Sequence, residues 1–142
     1  MSVISRRLIS LFAAMMFVLS FSAAMAAETM SAPDALKGVE AGSMVLLDIR
    51  TPQEWKETGI ASVAIPLTMH NREFLDGFQK IVAENKGKKI GIICATGGRT
   101  QWLQAELKKR GLPPVIDVSE GMMGSKAGPG WIARGLAIKK IK

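Results

Sequence analysis

Short apolar runs alternate with stretches of helical periodicity along this chain, and that alternation constrains its fold more than any other feature. The runs are Met44–Ile49, Val63–Ile65, Ile90–Ile93 and Val115–Val118. A continuous apolar run of this kind suits a strand covered on both faces. Between the runs lie helix signals. Ser31 with Pro33 is a helix start, and Gly38 or Gly42 ends it. Thr51-Pro52-Gln53-Glu54 reads as a capping box with proline just inside, opening a short helix to about Thr58. Asn71 is placed to cap a longer helix to about Asn85, with Phe74, Leu75, Phe78, Ile81 and Val82 on one face. A further helix runs from about Arg99 to Arg110, and Gly111 with Pro113 and Pro114 stops it. Strands alternating with helices predict an α/β fold: a central, mostly parallel sheet of about five strands flanked by helices on both faces.

The 142 residues suit a single domain once the first stretch is set aside. Arg6 and Arg7 form a basic start, Leu8 to Phe21 carries no charge, and Ala24-Met25-Ala26 has small residues where a signal peptidase reads them. That three-part pattern predicts a secretory signal over residues 1–26, cleaved after Ala26, and a domain over 27–142. The expected location is therefore periplasmic or secreted, with no stable membrane association after cleavage. Retention of the stretch as a membrane anchor is the alternative, since its length approaches a bilayer span. Ser5-Arg6-Arg7 matches a twin-arginine signal only at the arginines, so the general secretory route is expected.

Removing residues 1–26 removes two arginines and no acid, taking the formal charge from +7 to +5. The basic residues are dispersed, with no stripe of cations and aromatics, so no nucleic-acid partner is expected. Attraction for small anions is the better inference. Cysteine and histidine are scarcer still: Cys94 and His70 are the single examples of each. An internal disulfide is excluded, and a Cys/His metal site has no ligands to build it, so neither metal nor cofactor is expected. Cys94 is then a buried inert thiol, a site of intermolecular pairing, or a reactive nucleophile. His70 reads as a surface loop residue; Trp55, Trp102 and Trp131 read as core or near-core.

The segment Cys94-Ala95-Thr96-Gly97-Gly98-Arg99-Thr100 favours the reactive thiol. It lies between a buried strand and a helix, at the strand end where open α/β sheets bind ligands. Gly97 and Gly98 permit the positive φ that a tight curl needs. A curled loop gathers backbone N–H groups into an anion-binding nest, and the following helix start adds partial positive charge. Arg99 adds a permanent one. A thiol on the floor of such a nest is expected to ionise more readily than a free one. Asp48 to Arg50 and Ser119 to Gly121 end neighbouring runs, so the fold is expected to bring all three groups together.

With these residues in view, the chain resembles the rhodanese-homology sulfurtransferases. Cys94-x-x-Gly97-x-Arg99 is similar to that family's active-site loop. Leu46-Leu47-Asp48-Ile49-Arg50 with Glu54-Trp55 resembles its first strand and the acidic–aromatic pair after it. Ile65-Pro66, Glu120-Gly121 and Trp131 through Leu136 resemble later family features, so the likeness runs from about Ser31 to Ile138. The resemblance implies a sulfurtransferase in which Cys94 takes the outer sulfur of a small anionic donor such as thiosulfate. The persulfide would be held by the amides of Ala95, Thr96, Gly97, Gly98 and Arg99, with Thr100 lining the same site. A thiophilic acceptor, cyanide or a thiol, would remove the sulfur, and a protein thiol is a further candidate partner. Arg99 would orient the donor; Asp48 and Arg50 would support the loop.

Two other functions stay open at this point. One is a persulfide carrier or binding module that serves a protein partner. The other is an oxyanion enzyme such as a cysteine phosphatase or arsenate reductase. Those enzymes place their arginine one residue further from the cysteine; here four residues separate Cys94 from Arg99, a narrower ring suited to sulfur. The chain departs from the family at Thr58-Gly59-Ile60, where a histidine is common. Gly121 to Gly130 is longer than a plain turn, and reads either as a lid or as a glycine-rich connection.

Overall fold

A computed structural model describes residues 27–141. The expected leader, its cleavage site after Ala26 and the anchor alternative lie outside the described residues. Among the described residues no helix is long and apolar enough to cross a membrane.

The chain runs α1 (Ala32–Glu40), β1 (Met44–Asp48), α2 (Pro52–Thr58), β2 (Ile60–Ala61), β3 (Ala64–Pro66), α3 (Phe74–Glu84), β4 (Lys89–Ile93), α4 (Gly98–Lys109), β5 (Ile116–Asp117) and β6 (Ile138–Lys139). Four strands form one parallel sheet in the order β3-β1-β4-β5. A parallel bridge from Thr29 to Asp117 adds a further partner at the β5 edge. The expected α/β class and strand count are met. β2 and β6 form a separate antiparallel pair, too short for any periodicity to announce it.

Local signals placed most elements. Ser31 caps α1 by accepting from the Asp34 amide, and Thr51 and Glu54 form the reciprocal capping box of α2. Asn71 is the exception. α3 begins three residues later, at Phe74, and Glu73 at its cap makes no side-chain bond. Asn71 instead closes the turn ahead of it, its carbonyl accepting from the Phe74 amide at 3.2 Å and its side-chain oxygen from the Glu73 amide at 3.4 Å. Phe74 and Phe78, one turn apart on α3, stack their rings at 6.1 Å on the face turned to the core.

Two apolar layers sandwich the sheet. One joins Leu46, Ile93, Val118, Met122 and Trp131 to α1; the other joins Leu47, Ile92, Phe78, Leu103 and Leu107 to α3 and α4. Such layers remove apolar area from water at roughly 25 cal/mol per Å². Trp55 and Trp131 are buried as expected, but Trp102 is 57% exposed. It stands on the outer face of α4, because Leu103 and Leu107 already fill the face turned to the sheet.

Candidate functional site

β4 lies between β1 and β5 and delivers Cys94 to the carboxyl end of the sheet. α4 begins at Gly98, so only Cys94 to Gly97 make the connection. The turn is possible because Gly97 adopts φ +85°. A Cβ there would also collide with the Ser119 carbonyl. Gly98 differs from the expectation: its φ is not positive and its surroundings are open. It is the first residue of the helix, so Gly97 alone carries the curl.

The Gly97 amide donates to the Cys94 sulfur at 3.2 Å. Gly97 is the cap position of α4 and supplies no side chain. The amides of Gly98, Arg99 and Thr100 form the first helical turn, which has no intrahelical acceptors. A helix start with free donors therefore sits beside the thiol and favours negative charge there. Cys94 is only 1% exposed. Its flank is apolar, formed by residues such as Ile49, Ile92 and Leu103. Its polar neighbours include the Gly97 amide and the Thr100 hydroxyl, 3.7 Å from the sulfur. Thr96 and Gly98 are exposed and Ala95 half-buried, so these three form the mouth.

Arg99 does not stand as an unpaired cation. Its guanidinium grips Glu54 bidentately, with Nη1 to Oε2 at 2.8 Å and Nη2 to Oε1 at 2.5 Å. Glu54 also accepts from the amide and hydroxyl of Thr51 at 2.9 and 3.0 Å. The Arg99 hydrogen bond, aided by Thr51 and partly opposed by burial, lowers the Glu54 carboxyl from 4.5 to about 2. Glu54 in turn raises Arg99 above its ordinary value, against some desolvation, and the Cys94 sulfur beside it adds in the same direction. Glu54 is thus a site residue that the motif reading left as a helix cap. Its one sequence signal was the acidic–aromatic pair with Trp55.

Asp48 and Arg50 are almost wholly buried. Arg50 donates through Nε and Nη2 to the Asp48 carboxylate at 2.7 to 3.1 Å, and through Nη1 and Nη2 to Thr58 Oγ1 at 2.8 Å and the Gly59 carbonyl at 2.7 Å. The Trp55 indole N–H donates to Asp48 at 3.0 Å. Every one of these bonds is internal, so the pair braces α2, and through it Glu54, instead of facing a substrate.

Ser119 to Gly121 closes the opposite side. Gly121 has φ +68° and a Cβ there would strike the Ala95 carbonyl. The amides of Met122 and Met123 donate to the carbonyls of Cys94 and Ala95, both at 2.8 Å. Glu120 accepts from the amides of Ala32 and Gly130 at 2.7 and 2.9 Å and from Arg134 Nε at 2.7 Å. Burial pushes its carboxyl up, but Arg134 and the two amides outweigh it and leave the carboxyl below its ordinary value. Gly121–Gly130 is tied at both ends, by Glu120 and by the Trp131 amide on the Gly121 carbonyl at 2.9 Å, and Ser125 and Gly128 pair within it. Of its two expected roles, the hydrogen bonds describe a fixed connection. Among the described residues no group of three His, Cys, Asp or Glu side chains could hold a metal ion.

Known proteins share this architecture. A family model described as "Rhodanese-like domain" matches residues 31–127. An uncharacterized protein of Rickettsia prowazekii is 29% identical over 92 residues, covering 61% of this chain and 75% of that protein. The tRNA uridine(34) hydroxylase of Legionella pneumophila is 33% identical over 82 residues, covering 57% of this chain but only 32% of the hydroxylase. Among solved structures, Rv0390 from M. tuberculosis superposes with a TM-score of 0.64 at 20% identity, over 81% of this chain and 98% of that one. The polysulfide-sulfur transferase homodimer of Wolinella succinogenes superposes with a TM-score of 0.57 at 21% identity, over 81% and 80%. At these identities the two structures establish the fold alone.

Proposed function

The chain belongs to the rhodanese-like domain family, and on that premise we propose that it transfers sulfane sulfur through a persulfide on Cys94. The Cys94 sulfur attacks the outer sulfur of a donor such as thiosulfate. The donor's S–S bond breaks with its electron pair on sulfite, leaving the outer sulfur on Cys94 with a negative charge. Cyanide or a thiol then takes that sulfur and restores Cys94. This is covalent catalysis in two half-reactions.

The observation that carries the reading is the Gly97 amide bonded to the Cys94 sulfur at the uncapped start of α4. A persulfide anion needs donors that do not have to reorganise, and a helix start provides them. The Arg99–Glu54 pair adds a guanidinium held in place beside the sulfur. The four-residue spacing from Cys94 to Arg99 favours a sulfur over the larger tetrahedral oxyanion of phosphoryl transfer. Export belongs to the same reading, on the strength of the basic, uncharged and small-residue pattern over residues 1–26.

Intact mass is the direct test. The purified protein is expected to gain one sulfur atom after thiosulfate treatment and to lose it to cyanide, with no gain in Cys94→Ser. Absence of the adduct under every donor tried would remove the persulfide reading. An adduct that forms without thiocyanate turnover would instead mark a carrier for a protein partner.

A further inference from the structure

The outer face of α4 continues the mouth of the site. Gly98 is exposed there, and Trp102 follows one helical turn later on the same side. At 57% exposure, Trp102 is the most exposed large apolar side chain among the described residues. It borders a cavity of about 190 Å³ between α3 and α4. Buried Phe74, Leu103 and Leu107 line that cavity, and all three belong to the apolar layer that flanks Cys94. An exposed tryptophan beside an apolar hollow marks an interface, where a few aromatic anchors carry most of the affinity. The persulfide chemistry makes no use of this hollow, since Cys94 is reached past Ala95, Thr96 and Gly98.

The charges around the cavity define the partner. Arg72 and Arg110 border it against one acid, Glu106. Arg110 already holds Glu106 at 2.8 Å, so the Arg72 charge has no counterpart in the cavity wall. Glu73, the next residue, lines a different cavity on the other side of Phe74. Lys109 is exposed two turns beyond Trp102 and adds a cation on the same side of α4. A second copy would bring two such positive faces together, and like charges oppose that pairing. The complement is an acidic segment with one apolar anchor. A helix rises 1.5 Å per residue, which places Trp102 about 6 Å and Lys109 about 17 Å beyond Gly98. An extended chain advances about 3.3 Å per residue. A segment whose reacting group sits at the mouth therefore needs its anchor about two residues on and its acid about five.

We propose that the Trp102 face of α4 docks a partner protein through an extended acidic segment, whose cysteine meets Cys94 and whose apolar side chain enters the cavity. This rests on the sulfur-transfer reading for the role of that cysteine, but the docking is tested without it. In the transfer, the partner's thiolate bonds the outer sulfur of the Cys94 persulfide. The Cys94–sulfur bond breaks with its electron pair on Cys94, and the partner leaves carrying the persulfide. Atoms and electrons balance with no outside oxidant or reductant.

The probe is a short synthetic peptide with blocked ends. It carries one cysteine, a leucine two residues later, aspartates at the fourth to sixth places, and glycine and serine elsewhere. Its binding to the full chain bearing Cys94→Ser, which cannot exchange sulfur, is measured by titration calorimetry. Replacing the leucine by serine, or the aspartates by lysines, is expected to weaken binding by about tenfold each, as is Trp102→Ala in the protein. Trp102→Phe should retain most of the affinity, and Arg72→Glu should shift the preference toward the lysine peptide. In the chain with Cys94 intact, Trp102→Ala and Arg72→Glu should leave sulfur transfer from thiosulfate to cyanide unchanged. Peptide affinity that is indifferent to Trp102→Ala or to Arg72→Glu overturns the proposal. So does a dimer of the chain that Trp102→Ala dissolves, since a second copy would then be the occupant. Peptide binding by a chain that takes up no sulfur leaves the docking face standing and refutes the function; uptake of sulfur without peptide binding does the reverse.

Discussion

Glu54→Gln separates two things that one side chain does. A capping box accepts Gln as well as Glu, so the variant keeps an acceptor for the Thr51 amide and nearly the same volume. It removes the negative charge that Arg99 grips at 2.5 and 2.8 Å. The Glu54 carboxyl is held at about 2 instead of 4.5. At about 1.4 kcal/mol per pH unit, that gap corresponds to at most roughly 3.5 kcal/mol. The side chains of Arg99 and Glu54 are 30% and 27% exposed, so solvent screening should reduce the stabilisation to about 1–2 kcal/mol. A carboxyl depressed in the folded state stabilises fully above its unfolded value and loses that contribution as pH falls toward the folded one. The variant should therefore be less stable by about 1–2 kcal/mol at neutral pH. That deficit should shrink as pH falls through 4.5 and vanish near 2. Urea unfolding of both proteins across this range, at constant slope, measures the difference directly. Two curves that fall in parallel with pH would show that the pair is not what depresses the carboxyl.

The glycine pair of the loop should respond unequally. Gly97→Ala forces a side chain into positive φ and against the Ser119 carbonyl, and should lower stability by about 2–4 kcal/mol in thermal unfolding. Gly98→Ala meets nothing within 4 Å on a helical backbone, and should stay neutral or gain up to about 1 kcal/mol; equal losses at both positions would contradict the assignment of the curl to Gly97. For the leader, N-terminal sequencing of the exported product is expected to read Ala27 first, and a product that still begins at Met1 would favour the anchor.

The chain wrote its fold class in short-range signals. The apolar runs at Met44, Ile90 and Val115 needed no tertiary context, because a strand buried on both faces has few polar options. The capping box at Thr51 and the proline after Ser31 marked helix starts, because those bonds close within three residues. The signals that misled were also local. Asn71 looked like the cap itself, but its side chain accepts from the Glu73 amide within the turn, and the helix starts only at Phe74. Trp102 looked like core, but α4 turns it outward once Leu103 and Leu107 have met the sheet. Gly97 and Gly98 looked equivalent, and only the folded loop separates them, with positive φ and the Ser119 carbonyl at Gly97 and a helical backbone at Gly98.

By itself the sequence determined that a thiol would stand at a strand-to-helix turn rich in donors, since Cys94, Gly97 and the helix start are contiguous. Three things only the tertiary structure decided. Arg99 is neutralised by a glutamate 45 residues away, Asp48 and Arg50 turn inward to brace α2, and Asp117 is buried with its Oδ1 unpaired. Each depends on side chains brought together by the crossovers of a parallel sheet. No spacing along the chain records such a meeting, because the charge or the empty valence at one position acquires meaning only when the fold supplies, or withholds, its partner.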